Sequence, residues 1–86
     1  MSEKKTKASG GDTVVLLEDL PQYHLRKGDQ GMVVEVYTEP SEGYDIEFVN
    51  ETGRTKGLAY AVKPEQIAVI WSYEQRRPVE AEELVA

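Results

Sequence analysis

Apolar residues fall in short runs separated by turn chemistry along this chain, and one run, Tyr44 to Val49, alternates cleanly with polar residues at a spacing of two. The first run, Thr13-Val-Val-Leu-Leu-Glu18, predicts a strand with apolar residues on both faces, which a strongly curved small sheet can bury. Residues 19–31 read as a long irregular loop. Pro21 stops the strand and rules out a helix centred on it, while Leu20, Tyr23 and Leu25 supply apolar anchors that pack the loop on the sheet. Gly28 and Gly31 permit either positive φ or a close backbone approach, and with Asp29 they form a turn into the next strand. In that strand, Met32 to Tyr37, strict alternation puts Met32, Val34 and Val36 on one face and Val33, Glu35 and Tyr37 on the other. Residues 39–43 are a turn. Tyr44 to Val49 alternates most cleanly, with Tyr44, Ile46 and Phe48 inward and Asp45, Glu47 and Val49 outward. Asn50-Glu-Thr-Gly53 predicts a hairpin turn with Gly53 in the left-handed position. A fourth strand then runs to about Ala61, with Gly57 marking a bulge. Lys63-Pro-Glu-Gln66 suits a single 3₁₀ turn, and Ile67 to Trp71 is the fifth strand.

The two ends lack this pattern. Residues 1–11 are polar and predict a disordered arm, whose Lys4, Lys5 and Lys7 are either a small patch for an anionic partner or a solvated terminus. Residues 73–86 are a polar tail. From Pro78 to Val85 a short helix is expected, with proline first and glutamates in its first turns. So short a helix must dock on something or fray: the segment either folds on a partner, docks across the barrel of a second copy to make a homo-oligomer, or stays a flexible tail. The organisation expected is therefore an arm over 1–11, an all-β, five-stranded barrel over 12–72, and a tail over 73–86. Closure into a barrel hides strand edges that isolated hairpins would leave open.

With 86 residues the chain makes one domain with a modest core. It has no cysteine, which excludes disulfides and thiolate metal sites and fits a cytoplasmic location. No apolar run is long enough for a bilayer, and no apolar signal segment follows the first lysines, so no membrane partner is expected. The formal net charge is −6, and residues 12–72 hold five basic and eleven acidic side chains. That acidity disfavours phosphate backbones, making nucleic acid an unfavoured partner, and it suits a basic protein.

Candidate chemistry is sparse. His24 is the lone histidine, and a general base needs an oriented partner and a nucleophile that the sequence does not supply. No catalytic residue, metal-ligand set or cofactor motif is assigned, and the expectation is a protein that is not an enzyme. Glu35, Asp45 and Glu47 alternate with core positions; they form either an acidic patch that speeds encounter with a basic partner or the ordinary wet face of a sheet. Tyr23, Tyr37, Tyr44, Tyr60, Trp71 and Tyr73 are many aromatics for one small domain. Some must be core, and those near the long loop can line a groove for an extended peptide. The candidate contact set is Tyr23, His24, Tyr37, Tyr44, Tyr60 and Trp71 with Glu35, Asp45 and Glu47.

Four motifs fall in order: Asp12-Thr-Val-Val-Leu-Leu-Glu-Asp-Leu-Pro21, Leu25-Arg-Lys-Gly-Asp-Gln-Gly31, Val33-Val-Glu-Val36 and Tyr44-Asp-Ile-Glu-Phe-Val49. Together they resemble a family of small bacterial domains of unknown function, common in cyanobacteria, over roughly residues 12 to 70. The resemblance implies an SH3-like barrel. It also implies a candidate antitoxin or immunity partner, because some members are encoded beside small toxin-like proteins. It carries over no catalytic residue. The Gly28-x-x-Gly31-x-Val33-Val34 pattern is similar, more weakly, to KOW-type barrels of ribosomal and transcription-elongation proteins. It is also similar to the SH3-like subunits of nitrile hydratase and ferredoxin–thioredoxin reductase. A non-enzymatic protein-interaction module is thus the first expectation. A nucleic-acid or ribosome-associated module, or an accessory domain of a larger enzyme, is the alternative.

Overall fold

The computed structural model describes residues 6–50 and 52–79. They form one antiparallel sheet of six strands: β1 (Thr13–Leu16), β2 (Gln30–Tyr37), β3 (Gly43–Val49), β4 (Thr55–Val62), β5 (Ile67–Ser72) and β6 (Arg77–Pro78). Their order across the sheet is β4-β3-β2-β1-β5-β6. Two 3₁₀ turns, Pro21–Tyr23 and Pro64–Gln66, each begin on a proline, whose fixed φ suits the first helical position. No α-helix occurs among the described residues.

The core lies on one face of the sheet. Tyr44, Ile46 and Phe48 of β3 are fully buried, together with Val14, Leu16, Leu25, Val33 and Ile67. Burying side chains of this size is worth about 1.5–3 kcal/mol each, the main force holding so small a sheet together. Gly31 lets β2 approach β3 closely. A Cβ there would stand 2.7 Å from the Glu47 carbonyl oxygen and 2.8 Å from both Ile46 Cγ2 and Phe48 Cδ1. Gly28 and Gly53 serve the other glycine role, with φ of +95° and +82°.

β2 departs from strict alternation. Val33 pairs with Ile46, but the next bridge joins Glu35 to Asp45, so Val34 is an inserted residue. The bulge reverses the phase. Met32 and Val34 are each 45% exposed, Val33 is buried, and Val36 returns to pack on the core while Tyr37 faces out. A second bulge lies in β4, where Tyr44 pairs with Val62 and Ile46 with Ala59. Tyr60 and Ala61 therefore both stand opposite Asp45. Ala61 has φ +54°, a left-handed conformation uncommon for alanine, and its N–H donates to Asp45 Oδ1 at 2.9 Å. A register shift between Phe48 and Val49 places a further irregularity beside Gly57, which pairs with Phe48.

The expected N-terminal arm is corrected over residues 6–11, which are held on the sheet. Ala8 is 1% exposed and belongs to the core, and its N–H donates to Tyr44 Oη at 3.0 Å. Lys7 Nζ donates to the Pro64 and Ile67 carbonyls at 2.9 and 2.6 Å, across the second 3₁₀ turn. Asp12 is buried and accepts from the Ser9 and Tyr73 amides, both at 2.9 Å. The anchors at Tyr44, Pro64, Ile67 and Tyr73 lie far along the chain, which explains why local polarity misrepresents the segment. Lys4 and Lys5 lie outside the described residues.

The expected five-stranded closed barrel is also corrected: the sheet has six strands and is open, with β4 and β6 at its ends. After β5 the chain turns through residues 73–76, with Arg76 N donating to Ser72 O at 2.8 Å, and β6 pairs Arg77 with Ser72 and Pro78 with Trp71. Val79 N donates to Ile70 O at 3.0 Å, so the chain is extended where the helix was expected to begin. The rest of that expected helix, and the self-association expected through it, fall outside the described residues.

Candidate functional site

The loop between β1 and β2 is built as a rigid ledge. Leu20 and Leu25 exchange both backbone hydrogen bonds, at 2.9 and 3.1 Å, around the turn Pro21–Tyr23. His24 closes that turn at φ +58°, with its N–H on the Pro21 carbonyl at 3.1 Å. Asp19 and Asp29 accept from the Lys27 and Arg26 amides at 2.8 and 2.9 Å. Asp29 also pairs with Lys56 Nζ of β4 at 2.9 Å. The Arg26 amide, then Lys56, hold the Asp29 carboxyl below its ordinary range. The ledge presents Tyr23 toward β4. Its ring lies 6.4 Å from that of Tyr60 at 60°, a tilted contact, and its hydroxyl donates to the Tyr60 carbonyl at 3.3 Å.

Beside this pair runs the face of β2, β3 and β4 that points away from the core. Met32 opposes Glu47, Glu47 opposes Leu58, and Glu35 opposes Asp45. Tyr37 Oη donates to Asp45 Oδ2 at 2.6 Å, and Thr55 Oγ1 donates to Glu47 Oε2 at 2.7 Å. The hydrogen bond to Asp45, then burial and the nearby charges of Asp45 and Glu35, raise the Tyr37 phenol above its ordinary value. Asp45 and Glu47 are thus held in position by neutral donors, and each keeps lone pairs for a further donor. Met32, Val34, Tyr37, Val49, Leu58 and Tyr60 are exposed large apolar residues on or beside this face, and Tyr60 is the most exposed of them at 56%. Singly exposed apolar residues are ordinary, but six gathered around three carboxylates are not.

The structure therefore brings together Tyr23, Tyr37, Tyr60, Glu35, Asp45 and Glu47, with the exposed His24 next to Tyr23. It separates two of the expected contact residues. Tyr44 is in the core, its hydroxyl accepting from Ala8 N–H and donating to Glu42. Burial, then the Glu42 contact, push its phenol up to about 12. Trp71 sits half-buried on β5, with β3, β2 and β1 between it and β4 in the sheet order. Met32, Val34 and Leu58 belong to the face but are not in the contact set expected from the sequence. For Met32 and Val34 the signal was present as apolar residues in β2, but strict alternation without the bulge gave no way to place them outside.

Among the described residues, no three His, Cys, Asp or Glu stand together as a metal-holding group. No helix among them is long and apolar enough to cross a membrane. The family model for a domain of unknown function, DUF4926, matches residues 11–69. No curated protein and no solved structure matches the chain.

Proposed function

The chain belongs to the DUF4926 family, whose description assigns no activity, and on that footing we propose that it is a non-enzymatic protein-interaction module. The observation that carries this reading is the outer face of β2, β3 and β4, where Met32, Val34, Tyr37, Leu58 and Tyr60 surround Glu35, Asp45 and Glu47. Exposed aromatic and aliphatic side chains supply desolvation on docking, and the carboxylates, Asp45 and Glu47 among them held by hydrogen bonds, select a basic partner and steer its approach. A net charge of −6 acts in the same direction. Neutralising a small basic toxin-like protein is one concrete form of this role. An SH3-like fold is part of the proposal. The order β4-β3-β2-β1-β5, the long loop after β1 and the 3₁₀ turn before β5 support it, with β6 as an addition to the edge.

The test uses the full chain as bait in a lysate of its source cells, beside Glu47→Lys and Tyr60→Ala variants whose thermal unfolding matches that of the original. The expected result is a basic protein held by the original chain and weakened about tenfold or more by either change, the size of a lost interface anchor. Equal retention by both variants would overturn the reading.

A further inference from the structure

The sheet has two very different edges. On one side it ends in β6, two residues long and closed by Pro78, which has no N–H to offer a further strand. On the other it ends in β4, eight residues long without a proline, and among the described residues no strand pairs along its outer side. The Tyr60 carbonyl on this edge accepts a hydrogen bond from the Tyr23 hydroxyl, which a strand added as far as Tyr60 must displace. The side chains on the outer face beside the edge are Leu58 and Tyr60, and behind them stand Glu47, in register with Leu58, and Asp45, opposite Tyr60 and Ala61.

Resting on the interaction reading above, we propose that the partner docks as an extended strand added to β4, carrying basic side chains two residues apart. A strand added there lies about 4.8 Å beyond β4 and so about 10 Å from β3. An arginine on it spans that gap with its stem: one lies across Leu58 to reach Glu47, and the next outward residue stacks on Tyr60 to reach Asp45. The residues between them point toward the core side, beside the fully buried Ala59 and beside Gly57, where an added Cβ meets nothing within 4 Å. Main-chain bonds to β4 supply affinity and the alternation supplies specificity. Lys56 does not oppose this charge pattern, because its ammonium is held by Asp29.

The probe is a ten-residue synthetic peptide of alternating arginine and valine, tested against the full chain beside two derivatives, one N-methylated on the arginine amides and one on the valine amides. Backbone amides facing β4 belong to only one of those sets. The expected result is binding of the parent peptide, slowed hydrogen exchange at β4 amides, and a loss of about tenfold or more for one derivative only. Equal binding by all three peptides would overturn strand addition while leaving the docking face intact. Failure of the parent peptide together with a captured basic protein that does not protect β4 would have the same meaning. Failure of the parent peptide with no basic partner would remove both. Protection of β4 that grows with the chain's own concentration would assign the edge to a second copy and overturn the proposal.

Discussion

Gly31→Ala tests the packing that sets β2 against β3. The added methyl carbon meets three atoms at 2.7–2.8 Å, inside any distance that carbon tolerates. One of them, the Glu47 carbonyl oxygen, is main chain of β3. The other two belong to the fully buried side chains of Ile46 and Phe48. None is the free end of a flexible side chain, so relief requires the two strands to part. Overpacking of this kind costs about 1–3 kcal/mol. Loss of glycine's freedom in the unfolded chain returns about 0.4–1 kcal/mol. The net is a destabilisation of about 1–2 kcal/mol, which at roughly 4–8 °C per kcal/mol lowers Tm by about 5–15 °C. The matched control is Gly57→Ala, also in a strand, where an added Cβ meets nothing within 4 Å and φ is not positive. Thermal unfolding followed by circular dichroism should show Gly31→Ala well below the original chain and Gly57→Ala level with it or above. A Gly31→Ala variant as stable as the original would refute the close approach of β2 to β3.

Three further outcomes are expected. A chain beginning at Asp12 loses the buried Ala8, its hydrogen bond to Tyr44 and the Lys7 contacts, and its midpoint in urea should fall by an amount equal to about 2–4 kcal/mol. Tyr44 titrates near 10 when unfolded and at about 12 in the fold, so the stability it contributes is full below pH 10 and is lost as pH rises toward 12. Unfolding of Tyr44→Phe across that window should lack this component, read as the difference between the two pH profiles. Ala61→Gly relieves a left-handed alanine while keeping the N–H that reaches Asp45, and it should leave stability unchanged or raise it by up to about 1 kcal/mol, measured in urea.

Much of the sheet was legible in the chain. Tyr44 to Val49 alternates so regularly that its inward and outward sets match the observed burial, and Gly53 takes the left-handed position expected of it. The proline before Glu65 marks the 3₁₀ turn where it occurs. What was hidden depends on partners distant in sequence. The phase of β2 turns on a bulge at Val34 that exists only in its pairing with β3. Residues 6–11 look like a free end until Lys7 meets Ile67 and Asp12 meets Tyr73. β6 is too short to show any periodicity. For the candidate site, composition signalled aromatics and acids, and alternation put Asp45 and Glu47 outside. Only the fold separates the exposed Tyr60 from the buried Tyr44, and only the bulges set Met32 and Val34 beside Glu35, Asp45 and Glu47.

The docking face is tested most directly by amide NMR of the full chain, titrated with the basic protein it captures. Shift changes should fall on Met32, Tyr37, Asp45, Glu47, Leu58 and Tyr60 and leave Trp71 and Tyr73 unmoved. Changes centred instead on Trp71, Tyr73 and Arg76, with β3 and β4 silent, would contradict the assignment of this face.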